Sequence, residues 1–175
     1  DLWHKGLRDP QQTQAQTLEW LVEGYARTVY GQQWGAANLL ALAEDPPRFF
    51  AAYRRAFPVA TYDDLKPWID RVIAGEVEAL LPEPPVAWAM TRGTTQGASK
   101  RIPITSTDLG IRVAAARGLL NHLLRTDQLD AIDGYSLNLN YPSVVGTMEV
   151  AGQDTPYGFS SGIYVRHAAA ATPVE

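Results

Sequence analysis

The sequence predicts an α/β fold: a helical first half, then a mixed β-sheet with a long helix packed on it. Three observations carry this. Between Ala15 and Val29, Leu18, Leu21, Val22, Tyr25 and Val29 recur at three- and four-residue steps, the period of one helix face. After about residue 80 the pattern changes to short apolar runs bounded by glycine and proline, the signature of strands. Among those runs lies one long helical stretch, capped by Ser106 or Thr107 and running to about Arg125. Helices first and strands afterwards is the pattern of segregated layers around one core.

The helical half divides at its turn residues. Tyr30-Gly31 is expected to stop the first helix, with glycine supplying positive φ at its end. A second helical stretch covers about Ala36 to Ala43, Asp45-Pro46-Pro47 punctuates it, and Arg48 to Phe57 offers another short helix. Thr61 is a suitable N-cap, with Asp63 and Asp64 favourable at the positive helix end. Pro67 suggests that the regular helix starts there, with Trp68, Val72 and Ile73 facing the core and Gly75 ending it. In the second half, Pro85 to Thr91 and Arg101 to Thr105 read as extended. The long helix presents Leu109, Val113, Leu119, Leu120, Leu123 and Leu124 on its apolar side. Tyr135 to Leu139, Val144 to Val150 and Phe159 to Val165 read as further strands.

Composition narrows the functional classes. A chain of 175 residues with 46% hydrophobic and 19% charged residues is long enough to bury a core and too apolar for disorder. No apolar run reaches the roughly 18 to 20 residues that span a bilayer, and Asp1 to Gln14 has no signal-peptide stretch. No membrane association is expected, and a cytoplasmic protein is. Cysteine is absent and the three histidines, His4, His122 and His167, are not at ligand spacing, so no metal site is expected. Net charge is −4 with no basic stripe, which argues against nucleic acid. Nucleotides, held by backbone amides and one or two cations, stay open.

The chemistry is concentrated in Thr91-Arg92-Gly93-Thr94-Thr95-Gln96-Gly97-Ala98-Ser99-Lys100. A strand leads into glycines, hydroxyl side chains and a lysine. Glycines allow the backbone to turn its amides toward an anion, hydroxyls add donors, and lysine adds a positive charge. That combination suits a triphosphate tail, with Arg92, Gly93, Thr94, Thr95, Gln96, Gly97, Ser99 and Lys100 as binding residues. It is not the P-loop of ATPases, which needs glycine directly before lysine and a helix directly after. A glycine-rich turn that binds nothing is the bland alternative.

The string Gly93-Thr94-Thr95-x-Gly97-x-x-Lys100 is similar to the phosphate loop of the adenylate-forming superfamily. Its continuation, Lys100-Arg101-Ile102-Pro103-Ile104-Thr105, resembles the Lys-x-Ile-Pro-x-Thr of the auxin-responsive acyl-acid amido synthetase family. Phe57-Pro58-Val59, Thr61-Tyr62-Asp63-Asp64, Pro67-Trp68-Ile69 and Arg71 to Glu76 look like that family's lead-in. Tyr30-Gly31 with Trp34-Gly35, and Pro156-Tyr157-Gly158 with Ser161-Gly162-Ile163, extend the resemblance from about residue 15 to 166. Arg92 stands where the family usually has serine, which either adds a cation or marks a divergent loop.

The resemblance implies the amino-terminal part of a ligase's large N-terminal domain. That ligase joins a carboxylic acid to an amino acid or other amine through an acyl-adenylate, using ATP and Mg²⁺. Thr94, Thr95, Ser99 and Lys100 would steady the β- and γ-phosphates. Residues 1–175 then form one partial domain, with 1–80 a helical lead-in and 81–175 carrying the phosphate loop, long helix and strands. Both ends look cut. The piece alone is expected to be catalytically silent, and to form a homo-oligomer by covering its apolar surface.

Two other readings compete. The first is a non-catalytic interaction module built from the helical half. The second is a serine hydrolase fragment, since Gly158-Phe159-Ser160-Ser161-Gly162 satisfies Gly-x-Ser-x-Gly and His167 follows. That pattern needs a strand before it and a helix after it, whereas Ile163-Tyr164-Val165 reads as strand. Asp63 and Asp64 are explained by capping, Arg54 and Arg55 by solvation, and His122 by a position on the long helix. Trp3, Trp20, Trp34, Trp68 and Trp88 are expected as core and interface anchors.

Overall fold

The computed structural model describes residues 2–91, 99–134, 137 and 139–171. The chain divides into two compact units, residues 1–84 with 150–152 and residues 85–149 with 153–175.

The first unit is helical from its start. α1 (Leu2–Arg8) precedes α2 (Pro10–Ala26), and the Asp9 carboxylate between them accepts the Gln12 N–H at 3.0 Å. Pro10 opens α2, where its missing N–H costs nothing. After Arg27, Thr28 caps α3 (Val29–Gln33). Its buried hydroxyl accepts the Gly31 N–H at 3.0 Å and donates to the Tyr25 carbonyl at 2.9 Å, so neither hydrogen-bonding role is left unmet. Gly31 therefore lies inside a helix rather than ending one. Glycine is needed there for space: a Cβ would sit 2.1 Å from the Tyr25 carbonyl oxygen. The positive φ falls instead at Gly35, 70°, just before α4 (Ala36–Leu39).

A 3₁₀ turn, Leu40–Leu42, continues α4, and Asp45 caps α5 (Pro46–Ala56) through the Arg48 N–H at 3.2 Å. Val22, Ala36, Leu39, Phe49 and Ala52 form the core of these helices. Around it the rings of Tyr53 and Phe57 stack at 5.0 Å, and Tyr30 meets Trp68 edge-on at 5.3 Å. Burial also pushes the Tyr25 phenol above its usual pKa.

α6 (Tyr62–Ile73) starts with a complete capping box. Thr61 donates its N–H and its hydroxyl to Asp64 Oδ2 at 2.8 and 2.7 Å, and these two bonds hold the carboxyl below its usual pKa. The helix thus begins five residues before Pro67 rather than at it. Pro67 lies inside the helix, where it removes a single N–H on an exposed position, and the capping box sets the start upstream of it. Ile69 and Val72 are buried, whereas Trp68 and Ile73 are half-buried. Gly75, at φ 104°, ends α6 as expected. The Glu76 N–H reaches the Arg71 carbonyl and the Gly75 N–H the Val72 carbonyl, at 2.9 and 3.1 Å, the paired bonds of a Schellman end.

The second unit holds β1 (Pro85–Met90), β2 (Arg101–Thr105), β3 (Gly146–Val150) and β4 (Gln153–Phe159) in the order β2-β1-β4-β3. β1 runs antiparallel to β2 and parallel to β4, so the sheet is mixed, as predicted. β3 and β4 are joined through Ala151-Gly152, both at positive φ, a backbone suited to a tight hairpin. Ala87, Ala89, Ile104, Leu109 and Ile163 pack as the core. β2 is an edge strand among the described residues. Alternation along the β1–β2 ladder, set by the Thr91 N–H to Lys100 carbonyl bond, turns the nitrogen of Pro103 toward the open side.

α7 (Ser106–Thr126) is capped by Thr105, whose hydroxyl accepts the Asp108 N–H at 3.2 Å, and not by Ser106 or Thr107. Leu109 and Leu123 are buried, but Leu119, Leu120 and Leu124 are 64%, 41% and 54% exposed, so the expected apolar side is covered only in part.

The larger correction is α8 (Ser160–Ala171). Residues 159–165 were expected as strand, yet β4 ends at Phe159 and a helix follows. The β-branched and aromatic run Ile163-Tyr164-Val165 imitates a strand, while the alanines at 168–171 favour helix. Val144 and Val145 precede β3 rather than belonging to it. Leu137 and Leu139 lie outside regular elements, and residues 135, 136 and 138 lie outside the described residues. Of the tryptophans, Trp88 is fully buried and Trp20 is 46% exposed, so they are not uniformly core anchors. No helix among the described residues is long and apolar enough to cross a membrane.

Gly31→Ala is expected to destabilise the chain by about 1–3 kcal/mol through overpacking. Gly110→Ala, within α7 where an added Cβ meets nothing within 4 Å, should stabilise it by about 0.5–1 kcal/mol. Urea midpoints moving in opposite directions for the two variants check this. A second expectation concerns pH. Because folding lowers the Asp64 pKa, its cap stabilises above the unfolded carboxylate pKa and is lost as pH falls through the folded value. The stability gap between wild type and Asp64→Ala should therefore be widest near neutrality and close in acid, as read by urea unfolding across pH.

Candidate functional site

The two strands that frame the glycine-rich segment end in register. Met90 pairs with Arg101, and one step beyond, the Thr91 N–H donates to the Lys100 carbonyl at 3.0 Å. The return bond comes from the Lys100 N–H to the Thr91 hydroxyl oxygen at 3.1 Å. Lys100 is thereby held at the carboxyl end of β1, and both it and Ser99 are exposed. Arg92, Gly93, Thr94, Thr95, Gln96 and Gly97, singled out from the sequence, lie outside the described residues.

The parallel pairing of β1 with β4 adds a neighbour that sequence reasoning missed. Met90 lies opposite Phe159, so Thr91 and Ser160 leave adjacent strands at the same end, about 4.8 Å apart in the ladder direction. Ser160 opens α8. The positive end of a 12-residue helix thus emerges beside Thr91, as ligand-facing helices do at the carboxyl ends of parallel strands. The signal that could have found it was the run of alanines after Val165, which reads as helix rather than strand. The amino terminus of α7 is not part of this arrangement. It starts at the far end of β2, roughly 20 Å of extended chain from Lys100.

The strand-to-helix passage at Gly158 to Gly162 restores one condition for a hydrolase nucleophile, since a strand does precede and a helix does follow. The other conditions are unmet. Ser160 and Ser161 are not among the positive-φ residues, so the strained turn that lifts such a serine is not formed. The Ser161 hydroxyl oxygen accepts the Tyr141 N–H at 3.4 Å. His167 follows Ser160 by seven residues on the same helix, about 10 Å along its axis. Close packing explains the glycines instead. A Cβ at Gly158 would sit 2.2 Å from the Ser143 carbonyl oxygen, and one at Gly162 would sit 2.1 Å from that of Tyr141.

A separate cleft of about 250 Å³ opens between β1, β4, α7 and α8, with Val86, Ala87, Leu109 and Ile163 as apolar walls and Arg166 and His167 also lining it. Of the described residues singled out for phosphate, neither Ser99 nor Lys100 lines it. Asp63, Asp64, Arg54 and Arg55 belong to the other unit, and Asp64 is committed to its cap. Among the described residues no three His, Asp or Glu side chains are grouped to hold a metal ion.

Comparison with known proteins adds to this geometry. Residues 3–169 match the GH3 family N-terminal domain. A jasmonoyl–L-amino acid synthetase of Nicotiana attenuata, JAR4, is 24% identical over 137 residues, covering 78% of this chain and 22% of that protein. A probable indole-3-acetic acid-amido synthetase of Oryza sativa subsp. japonica, GH3.7, is 30% identical over 140 residues, covering 77% of this chain and 22% of that protein. The indole-3-acetic acid-amido synthetase GH3.15 of Arabidopsis thaliana is 36% identical over 63 residues, or 35% of this chain and 11% of the relative. The chain thus spans less than a quarter of the length of these curated relatives.

Proposed function

Because the chain belongs to the GH3 family, we propose that it forms the amino-terminal part of a cytoplasmic, ATP-dependent acyl-acid amido synthetase. The enzyme would activate a carboxylic acid as its adenylate and transfer the acyl group to an amino acid or other amine. The observation that carries this reading is the position of Lys100. It is anchored to Thr91 at the carboxyl end of β1, in line with the start of α8 through the Met90–Phe159 register. A cation, nearby hydroxyls and a helix amino terminus at one end of a sheet suit the charge of a triphosphate.

In this reading Lys100 neutralises charge on the phosphates, while Ser99, Thr94 and Thr95 donate hydrogen bonds. The amides of Gly93 to Gly97, with Arg92 and Gln96, are assigned to the same anion on their residue types. The acceleration is electrostatic, favouring the charge that builds on pyrophosphate as it leaves. Magnesium would accompany the nucleotide and supply further positive charge against its phosphates.

Losing a charged phosphate contact is worth on the order of 1.5–3 kcal/mol. Lys100→Ala, in an enzyme of the relatives' length that carries this segment, should therefore slow ATP–pyrophosphate exchange by roughly ten- to a hundredfold. An unchanged exchange rate would remove Lys100 from the site.

We also propose that the 175-residue chain on its own associates with further copies. Exposed Leu119, Leu120 and Leu124 on α7, with Leu129 and Ile132 just after it, support this, because exposed apolar clusters favour association. Sedimentation at micromolar concentration should give a mass that rises with concentration. A single monomeric species throughout would rule it out.

A further inference from the structure

We propose that Thr91 is the positioning residue of the phosphate site, its hydroxyl fixing where Lys100 stands relative to β1. This rests on the reading of Lys100 as a phosphate ligand. In a regular antiparallel ladder, a hydrogen-bonded pair exchanges two main-chain bonds. At Thr91 and Lys100 only the first has that form, from the Thr91 N–H to the Lys100 carbonyl at 3.0 Å. The second runs from the Lys100 N–H to the Thr91 side chain at 3.1 Å, where a ladder would use the Thr91 carbonyl. The side chain thus takes over at the step where strand pairing stops, one residue beyond the Met90–Arg101 pair.

The consequence is geometric. Two bonds join residues nine positions apart, setting both the separation and the orientation of Thr91 and Lys100. Threonine suits the task because its β-branch restricts χ1, so the accepting oxygen is held in place. Thr91 is half-buried and Lys100 exposed, so the clamp lies outside the close-packed core and its removal creates no cavity there. Valine has the shape of threonine without the acceptor and would leave the Lys100 N–H without that bond. Serine keeps the acceptor.

The test compares Thr91→Val, Thr91→Ser and Lys100→Ala in an enzyme of the relatives' length, reading ATP–pyrophosphate exchange against ATP and against the carboxylic acid separately. Thr91→Val is expected to raise the KM for ATP about tenfold, with the KM for the acid unchanged within about twofold and Thr91→Ser close to wild type. A merely structural defect would lower the active fraction, and so kcat, without that selective rise. A wild-type KM for ATP in Thr91→Val, with Lys100→Ala impaired, overturns the clamp and leaves the phosphate reading standing. A Lys100→Ala enzyme that behaves as wild type overturns both. Amide exchange of the 175-residue chain, followed by NMR, supplies a measurement that does not depend on Thr91→Val folding. The Lys100 amide should be protected in wild type and in Thr91→Ser, and free exchange in wild type would also overturn the clamp.

Discussion

β1 is bonded on both sides and in opposite senses, and the arrangement of the second unit follows from that. The antiparallel bond to β2 lets the chain return within a short connection. The parallel bond to β4 does not, since a parallel neighbour is reached only by crossing over. α7 lies in that crossover. Ala87 and Ala89 flank a fully buried Trp88, so β1 pairs small side chains with one large ring. The parallel register then brings the exits of β1 and β4 to one end of the sheet, which is where Thr91, Lys100 and the first turn of α8 are found.

Much of this was legible in the sequence where a local rule had no competitor. Thr61 with Asp64 reads as a cap because the geometry needs only four residues, and Gly75 reads as a helix end for the same reason. The extended runs on either side of the glycine-rich segment became β1 and β2. Failures came where local preference was overruled by something distant. Gly31 resembled a helix stop, but its requirement is the nearness of the Tyr25 carbonyl, a contact made only after α2 and α3 have folded against each other. Pro67 resembled a helix start, but the reciprocal bonds of Thr61 and Asp64 begin the helix five residues earlier. Ile163, Tyr164 and Val165 have strand preferences individually, and only the alanines beyond them show that the segment is helical.

The pattern at Gly158 to Gly162 shows how a reactive-looking string can have another origin. Both glycines face the main chain of residues 141–143, close enough that any side chain would collide. The backbone of that segment is tied down as well, with Phe159 N–H to Pro142 carbonyl at 3.0 Å and Val145 N–H to Tyr157 carbonyl at 2.8 Å. Glycine spacing here records the approach of one piece of backbone to another. The serines between them open α8, and the Ser161 hydroxyl oxygen accepts the Tyr141 N–H.

Pro103 has one more bearing on the molecule. With its nitrogen turned to the open side of β2 and no hydrogen on it, the outer rim of the sheet lacks a donor midway along a five-residue strand. A foreign strand laid against that rim would meet a gap in its hydrogen-bonding register at the point where pairing has to be continuous to propagate. Among the described residues this proline therefore leaves the β2 rim one donor short, which disfavours continuous pairing with a further strand at that point.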